Sequence, residues 1–223
     1  MLLSDADGVL FDVDGTLIDS MGIWKDIDKI YLARYGLEMP SGLQKDIAGL
    51  SIKQTADYFR EVLGVNEPQS KMLSDWNDLA YEFYRYKIDV KEDAVRWLEV
   101  IRERGLKMAV CTSNTRHLAM TVLRHRDLLK YFGVVLTGED VVVGKPNPYI
   151  YLKASRDLGL QASRCIVFED IAEGITAGKR AGMRVCAVQD DFSGDQEEEK
   201  KQLADYYIDS YRNIFENKVE ILR

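Results

Sequence analysis

Asp12 and Asp14 stand two residues apart at the end of a short apolar run, Gly8-Val9-Leu10-Phe11, and Gly15 and Thr16 follow at once. Two carboxylates so placed can divide a reaction between them. An ionised carboxylate is an adequate nucleophile, while its neighbour can hand a proton to a leaving oxygen and then take one from water. Gly15 serves the spacing: alternate side chains of a strand point the same way, and leaving the strand at a glycine lets the second acid swing beside the first. Three more polar clusters end or follow apolar runs. They are Thr112-Ser113-Asn114, Lys145 within Gly144-Lys145-Pro146-Asn147-Pro148, and Glu169-Asp170.

Such clusters need a scaffold that gathers strand ends. From residue 90 onward helical and strand-like segments alternate, which predicts parallel strands joined by crossover helices. Helices are predicted over 92–104, 115–129 and 171–181, with a further one between Pro148 and Leu158. Strands are predicted over 107–111, 134–136, 163–168, 184–188 and 206–208. In an open parallel α/β sheet, ligands bind outside the carboxyl ends of the strands, where all four clusters fall. Residues 20–88 break the alternation. Helical spacing of Ile23, Ile27, Ile30 and Tyr31 predicts a helix over 21–35. A second is predicted over 51–63 with Ser51 as its cap, and a third over 67–86 carrying Trp76, Leu79, Ala80, Phe83 and Tyr84 as a packing stripe. This tract reads as an inserted helical domain, dividing the chain into 1–19 with 89–223 and 20–88.

Four carboxylates converging in one crevice repel one another by roughly 4 kcal/mol per pair at 4 Å and an effective dielectric of 20. A cation is required. Hard oxygen donors without histidine or cysteine favour Mg²⁺, which keeps positions for water and a substrate phosphate oxygen. Thr112, the backbone N–H groups after it and Lys145 would meet the remaining phosphate oxygens, with Ser113 and Asn114 beside them. The expected chemistry is phosphoryl transfer from a small phosphate ester.

Composition narrows the partners. A net charge of −7 in 223 residues offers no basic footprint for nucleic acid or an anionic membrane surface. No apolar run reaches the roughly 20 residues of a membrane span, and Asp5 and Asp7 stand where a signal peptide would carry positive charge. A soluble cytoplasmic chain is expected; its oligomeric state is not legible. Cys111, Cys165 and Cys186 lie in apolar runs without zinc spacing and are expected as free buried thiols. The charged run 195–201 reads as a solvated helical face.

In order and spacing, Asp12-Val13-Asp14-Gly15-Thr16, Thr112, Lys145 in Gly144-Lys145-Pro146, and Glu169-Asp170 with Gly174 resemble the four motifs of the haloacid dehalogenase superfamily. The resemblance covers essentially the whole chain. It implies a Rossmann-like three-layer core with a parallel sheet, plus an inserted α-helical cap domain, as in the β-phosphoglucomutase-like phosphatases. By that likeness Asp12 is the nucleophile, Asp14 the general acid and base, Thr112 a phosphate ligand and Lys145 the charge-neutralising group. Mg²⁺ would be held by the Asp12 carboxylate, the Asp14 backbone carbonyl and Asp170, with Glu169 in or near its shell. The cap would exclude bulk water and set specificity.

Departures from the mutase subgroup favour plain hydrolysis. Its members carry a histidine about where Trp24 stands and an arginine about where Ile52 follows Gly49-Leu50-Ser51, positions that would serve a second phosphate. Lys53 is read as an exposed helix lysine. Asp14 and the Glu169/Asp170 pair speak against metal-free dehalogenation, and Lys25, Lys29 and Lys53 have no context suggesting imine chemistry. Asp5-Ala6-Asp7-Gly8 repeats the acidic pattern, but four preceding residues are too few for a central strand. His117 and His125 read as surface helix residues, with His117 or Arg116 the candidates to face substrate. The plain alternative is that Thr112, Ser113 and Asp170 merely cap helices.

Overall fold

The computed structural model describes residues 2–47 and 52–223. Among them one sheet takes in β1 (Gly8–Phe11), β2 (Lys107–Cys111), β3 (Val134–Leu136), β4 (Cys165–Glu169), β5 (Arg184–Val188), β6 (Tyr206–Ile208) and β7 (Glu220–Ile221), in the order β3-β2-β1-β4-β5-β6-β7. Every pairing is parallel except β6 with β7. The helices are α1 (Ile23–Ala33), α2 (Leu43–Asp46), α3 (Ile52–Glu61), α4 (Gln69–Tyr86), α5 (Ala94–Glu103), α6 (Arg116–His125), α7 (Tyr149–Asp157), α8 (Ala172–Arg180), α9 (Glu197–Leu203) and α10 (Arg212–Phe215). This is the Rossmann-like α/β arrangement expected.

Both faces of the central strands are buried, as a parallel sheet requires. Leu10, Ala109, Cys111, Val167 and Val185 pack with Ile150, Tyr151 and Ala154 of α7 and Ile175 and Ala177 of α8. On the other face Phe11 stacks on Phe168 at 5.0 Å, Phe168 on Tyr211 at 5.8 Å, and Trp97 of α5 meets Phe168 at 6.2 Å. Cys111, Cys165 and Cys186 are free and buried.

The direction in which successive strands are added reverses between β1 and β4, which themselves run parallel. Successive strands run outward from β1 through β2 to β3, then from β4 through β5 to β6. A reversal of this kind opens a crevice at the carboxyl ends, and Asp12 and Glu169 stand there side by side, just beyond or at the paired Phe11 and Phe168.

The chain divides into two compact units, Met1–Met21 with Ile88–Arg223, and Gly22–Lys87. In the helical unit α4 packs against α1 and α3, and the rings of Tyr31, Phe59 and Trp76 lie 5.1 to 6.3 Å apart. Ser51 and the Gly49-Leu50-Ser51 turn lie outside the described residues. In the sheet unit the chain is clasped where the helical unit departs and returns. Ile18 bridges Val90, the Asp19 N–H donates to the Asp89 carbonyl at 3.0 Å, and the Lys91 N–H to the Leu17 carbonyl at 2.9 Å.

One expectation is overturned. The run 195–201 is not a wholly solvated face, because Lys200 is fully buried. Its Nζ turns inward to Val188, Gln189 and Ser193, which charge alone does not reveal.

Candidate active site

Four loops meet at the carboxyl end of the sheet. Asp12 follows β1, its N–H donating to the Phe168 carbonyl at 3.1 Å, so β1–β4 pairing continues to Asp12 itself. Thr112 follows β2 in the same way, its N–H donating to Leu136 at 3.1 Å. Glu169 ends β4 and Asp170 follows it. Lys145 comes from the loop ahead of α7; its backbone lies near the surface while its side chain is only 4% exposed.

Lys145 is the hub of one half of the site. Its Nζ donates to Asp12 Oδ1 at 2.6 Å and to Glu169 Oε1, and it sits over the Tyr151 ring. Burial alone would depress its pKa, but Asp12 and Glu169 overrule burial and raise it, so the ammonium stays charged. Glu169 is fully buried. Oε1 also accepts from Tyr151 Oη at 2.8 Å, and Oε2 from the Asp170 N–H at 3.1 Å. Tyr151 was missed by the sequence reading; helical spacing marks it as a core position and gives no sign that its hydroxyl turns to an acid.

Asp14 belongs to the other half. Ser20 Oγ donates to its Oδ1 at 2.7 Å, and Asn114 Nδ2 and Thr112 Oγ1 reach its Oδ2 at 3.0 and 3.5 Å. The two aspartates thereby differ in their bonds: Asp12 accepts from the Lys145 ammonium, and Asp14 accepts from Ser20, Asn114 and Thr112. The predicted phosphate ligands Thr112 and Asn114 come together with Asp14, while Ser113 is exposed. The backbone donors need correction. The Asn114 N–H is taken by Thr112 Oγ1 and the Thr115 N–H by Asn114 Oδ1, which narrows the amides expected to face phosphate to that of Ser113.

The capping alternative also fails in its particulars. Thr115 caps α6, and Ile171 occupies the cap position of α8 without a side-chain bond. Asp170 Oδ1 instead accepts from Thr16 Oγ1 at 2.9 Å, and its Oδ2 is buried without a partner. Arg116 forks onto Asp140, and His117 and His125 are exposed. Asp7 lies ahead of β1, at the opposite end of the strand from Asp12, and pairs with Arg164.

The residues fit a hard divalent cation. Asp12, Glu169 and Asp170, all buried, each offer a carboxylate oxygen within 4.8 Å of the others. Lys145 balances only part of their charge. Burial raises the Asp12 pKa well above the ordinary carboxylate range, Lys145 opposes that rise, and Glu169, Asp170 and Asp14 add to it. Burial, then Glu169, pushes Asp170 up to about 7 against the Thr16 hydrogen bond. An all-oxygen donor set with excess negative charge and an orphan oxygen matches Mg²⁺ chemistry.

Glycines make room for these acids. A Cβ on Gly15, whose φ is +76°, would lie 2.2 Å from Asp170 Oδ2, and one on Gly174 1.9 Å from Glu169 Oε1. Beside Lys145 a cavity of about 190 Å³ is lined by Thr112, Ser113, Gly138, Val141, Gly144 and Ile150. Among the described residues no helix is long and apolar enough to cross a membrane.

Known proteins resemble the chain along most of its length. The family description "haloacid dehalogenase-like hydrolase" matches residues 9–188. A phosphorylated carbohydrates phosphatase of Thermotoga maritima is 27% identical over 177 residues, spanning 79% of this chain and 82% of that protein. The (DL)-glycerol-3-phosphatase 2 of Arabidopsis thaliana is 28% identical over 190 residues, 82% of this chain and 79% of that one. Among solved structures, a Thermotoga maritima protein provisionally described as a β-phosphoglucomutase superposes with a TM-score of 0.86 at 24% identity, over 95% of this chain and 99% of that one.

Proposed function

Because the chain belongs to the haloacid dehalogenase-like hydrolases, we propose that it is a Mg²⁺-dependent phosphatase, hydrolysing a small sugar phosphate-like metabolite through an aspartyl-phosphate on Asp12. The observation that supports this reading is that Asp12 is bonded to Lys145 at the end of β1, while the Asp14 carboxylate accepts from Ser20, Thr112 and Asn114. Relatives named as phosphatases of phosphorylated carbohydrates and of glycerol 3-phosphate support the substrate class.

Asp12 and Asp170 would hold Mg²⁺ with the Asp14 backbone carbonyl, and Glu169 stands close by. When bound, the cation would neutralise the acids and the phosphate oxygens they face. Asp12 then attacks phosphorus in line, while Lys145 neutralises charge on the phosphoryl group and Glu169 and Tyr151 hold Lys145 in place. Thr112 and Asn114 turn from Asp14 to the incoming phosphate, which frees the Asp14 carboxyl. Asp14 protonates the leaving alcohol and next takes a proton from the water that attacks the aspartyl-phosphate. Residues 1–19 and 89–223 act as the catalytic core, and 20–88 as the cap that selects the ester.

The test is phosphate release across a panel of phosphorylated metabolites, with and without Mg²⁺, beside Asp12→Asn. Release should require Mg²⁺ and fall by about 10³-fold or more in the variant. Metal-independent release, or release surviving the substitution, overturns the mechanism. Interconversion of sugar phosphates without release would instead assign a mutase.

A further inference from the structure

Close to Asp170 and Asp190 lies a second buried lysine that the mechanism does not use. Lys200 projects from α9 with no exposed surface. Its Nζ donates to Ser193 Oγ at 3.1 Å, Gln189 Oε1 at 3.3 Å and the Val188 carbonyl at 3.4 Å. An ammonium group is donor only, so a serine hydroxyl that accepts from it must send its single proton elsewhere. Ser193 Oγ donates to the backbone carbonyl of Asp170 at 2.8 Å, with the Asp190 carbonyl farther off at 3.4 Å. The chain of donors therefore runs from Lys200 through Ser193 to the turn that carries Asp170.

A second bond grips the same turn. Gln196, the cap residue of α9, accepts from the Ala172 N–H at 3.1 Å through its side chain. The stretch from Ser193 to Lys200 thus holds the chain on both sides of Ile171. Its own base is fixed as well: Tyr207 Oη donates to Gln189 Oε1 at 2.8 Å, and Lys91 bonds Asp190 Oδ2 at 2.8 Å and the Gln189 carbonyl at 3.0 Å. Burying an ammonium among neutral oxygens is unfavourable unless charge of opposite sign lies near, and Asp170 and Asp190 supply it.

We infer that Lys200 is a positioning residue for the metal site: by orienting Ser193 it fixes the backbone of Asp170, and with Gln196 it clamps the 170–172 turn so that the unpartnered Asp170 oxygen stays directed at the acidic cluster. The inference rests on the Mg²⁺ reading above. It goes against simple electrostatics, since removing a positive charge near a cation site should by Coulomb attraction alone tighten the cation. Loss of a hydrogen-bonded support behind a ligand commonly weakens metal binding 10- to 100-fold.

The experiment measures Mg²⁺ affinity of the full chain by displacement of Mn²⁺, followed through water-proton relaxation, with kcat and KM measured alongside at saturating Mg²⁺. Lys200→Met and Ser193→Ala should each weaken Mg²⁺ about tenfold, and the double variant should be no weaker than either, because one acts through the other. KM for the ester should not move. Ile101→Val, in α5 on the opposite face of the sheet, should lower the melting temperature without changing Mg²⁺ affinity. Unchanged or tighter Mg²⁺ in Lys200→Met, additive losses in the double variant, or an equal loss in Ile101→Val each overturns the inference. If Lys200→Met does not fold, Ser193→Ala decides it alone, a loss supporting and wild-type affinity refuting. If wild type binds no Mn²⁺, or Asp170→Asn binds it as wild type does, the metal reading falls and this inference with it. Wild-type binding that Asp170→Asn abolishes secures that reading separately.

Discussion

Replacing Gly174 with alanine sets two principles against each other. Gly174 lies within α8, and by helix propensity alone alanine there should stabilise the chain by about 1 kcal/mol. The surroundings argue otherwise. The added Cβ would lie 1.9 Å from Glu169 Oε1, 2.0 Å from Cδ and 2.3 Å from Oε2, whereas ordinary contact begins near 3.4 Å, so the carboxylate must retreat by about 1.5 Å, the difference between 3.4 and 1.9. A shift of that size breaks the bonds from Lys145 and Tyr151 to Oε1. Hydrogen bonds to a charged group contribute about 1.5–3 kcal/mol each, and forcing volume into a close-packed core costs about 1–3 kcal/mol. Partial relaxation will recover some of this, and the net expectation after the propensity gain is a loss of about 2–4 kcal/mol in urea unfolding. Lys145 would move with Glu169, and a misplacement near 1 Å can lower turnover about 100-fold. Phosphate release from p-nitrophenyl phosphate measures that directly. A Gly174→Ala chain as stable as wild type or more so, with kcat within twofold, would refute the reasoning.

Tyr151→Phe removes one donor from a fully buried carboxylate without adding volume; stability should fall by about 1–3 kcal/mol in urea titration and kcat by about tenfold, with KM little changed. Asp28 in α1 is buried and pushed up to about 6 by burial, against the opposing bond from Gln44 Nε2 at 2.8 Å. A raised carboxyl pKa means the folded state binds the extra proton, so stability from this group is complete below about pH 4 and lost as pH rises through 6. Asp28→Asn should accordingly stabilise the chain by up to about 3 kcal/mol at pH 7.5, at 1.36 kcal/mol per pKa unit, and by nothing near pH 3.5; a pH-independent change in unfolding midpoint would contradict that origin. Asp7→Asn, on the acidic copy ahead of β1, should leave kcat within twofold of wild type under conditions where Asp12→Asn is inactive.

The site was legible wherever an apolar run is punctuated by a polar residue, because burial on both faces makes each central strand an uninterrupted apolar word. Phe11 to Asp12, Cys111 to Thr112 and Phe168 to Glu169 all mark the same edge of the sheet. What escaped were residues whose partners come from far along the chain. Tyr151 obeys helical periodicity and hides its hydroxyl's destination, and nothing around Thr16 in the chain shows that its hydroxyl bonds Asp170, 154 residues on. Lys200 was misread outright, since three glutamates before it and Lys201 after it describe a wet surface. Only the tertiary position of α9 shows which member of that run turns inward. The short β7, pairing antiparallel at the sheet edge, carries too few residues for any pattern.

The clasp formed by Ile18 with Val90, Asp19 with Asp89 and Leu17 with Lys91 has a topological meaning. It makes the departure and return points of the helical unit neighbours within the sheet unit itself, so the sheet senses the long excursion from Gly22 to Lys87 as a tied-off loop. Closure entropy grows only as the logarithm of loop length, about 0.6 kcal/mol for each doubling, so a clasped junction tolerates inserts of very different size. The junction behaves as a socket: the sheet unit can accept helical inserts of different length while Asp12, Thr112, Lys145 and Asp170 stay on their own strands and loops.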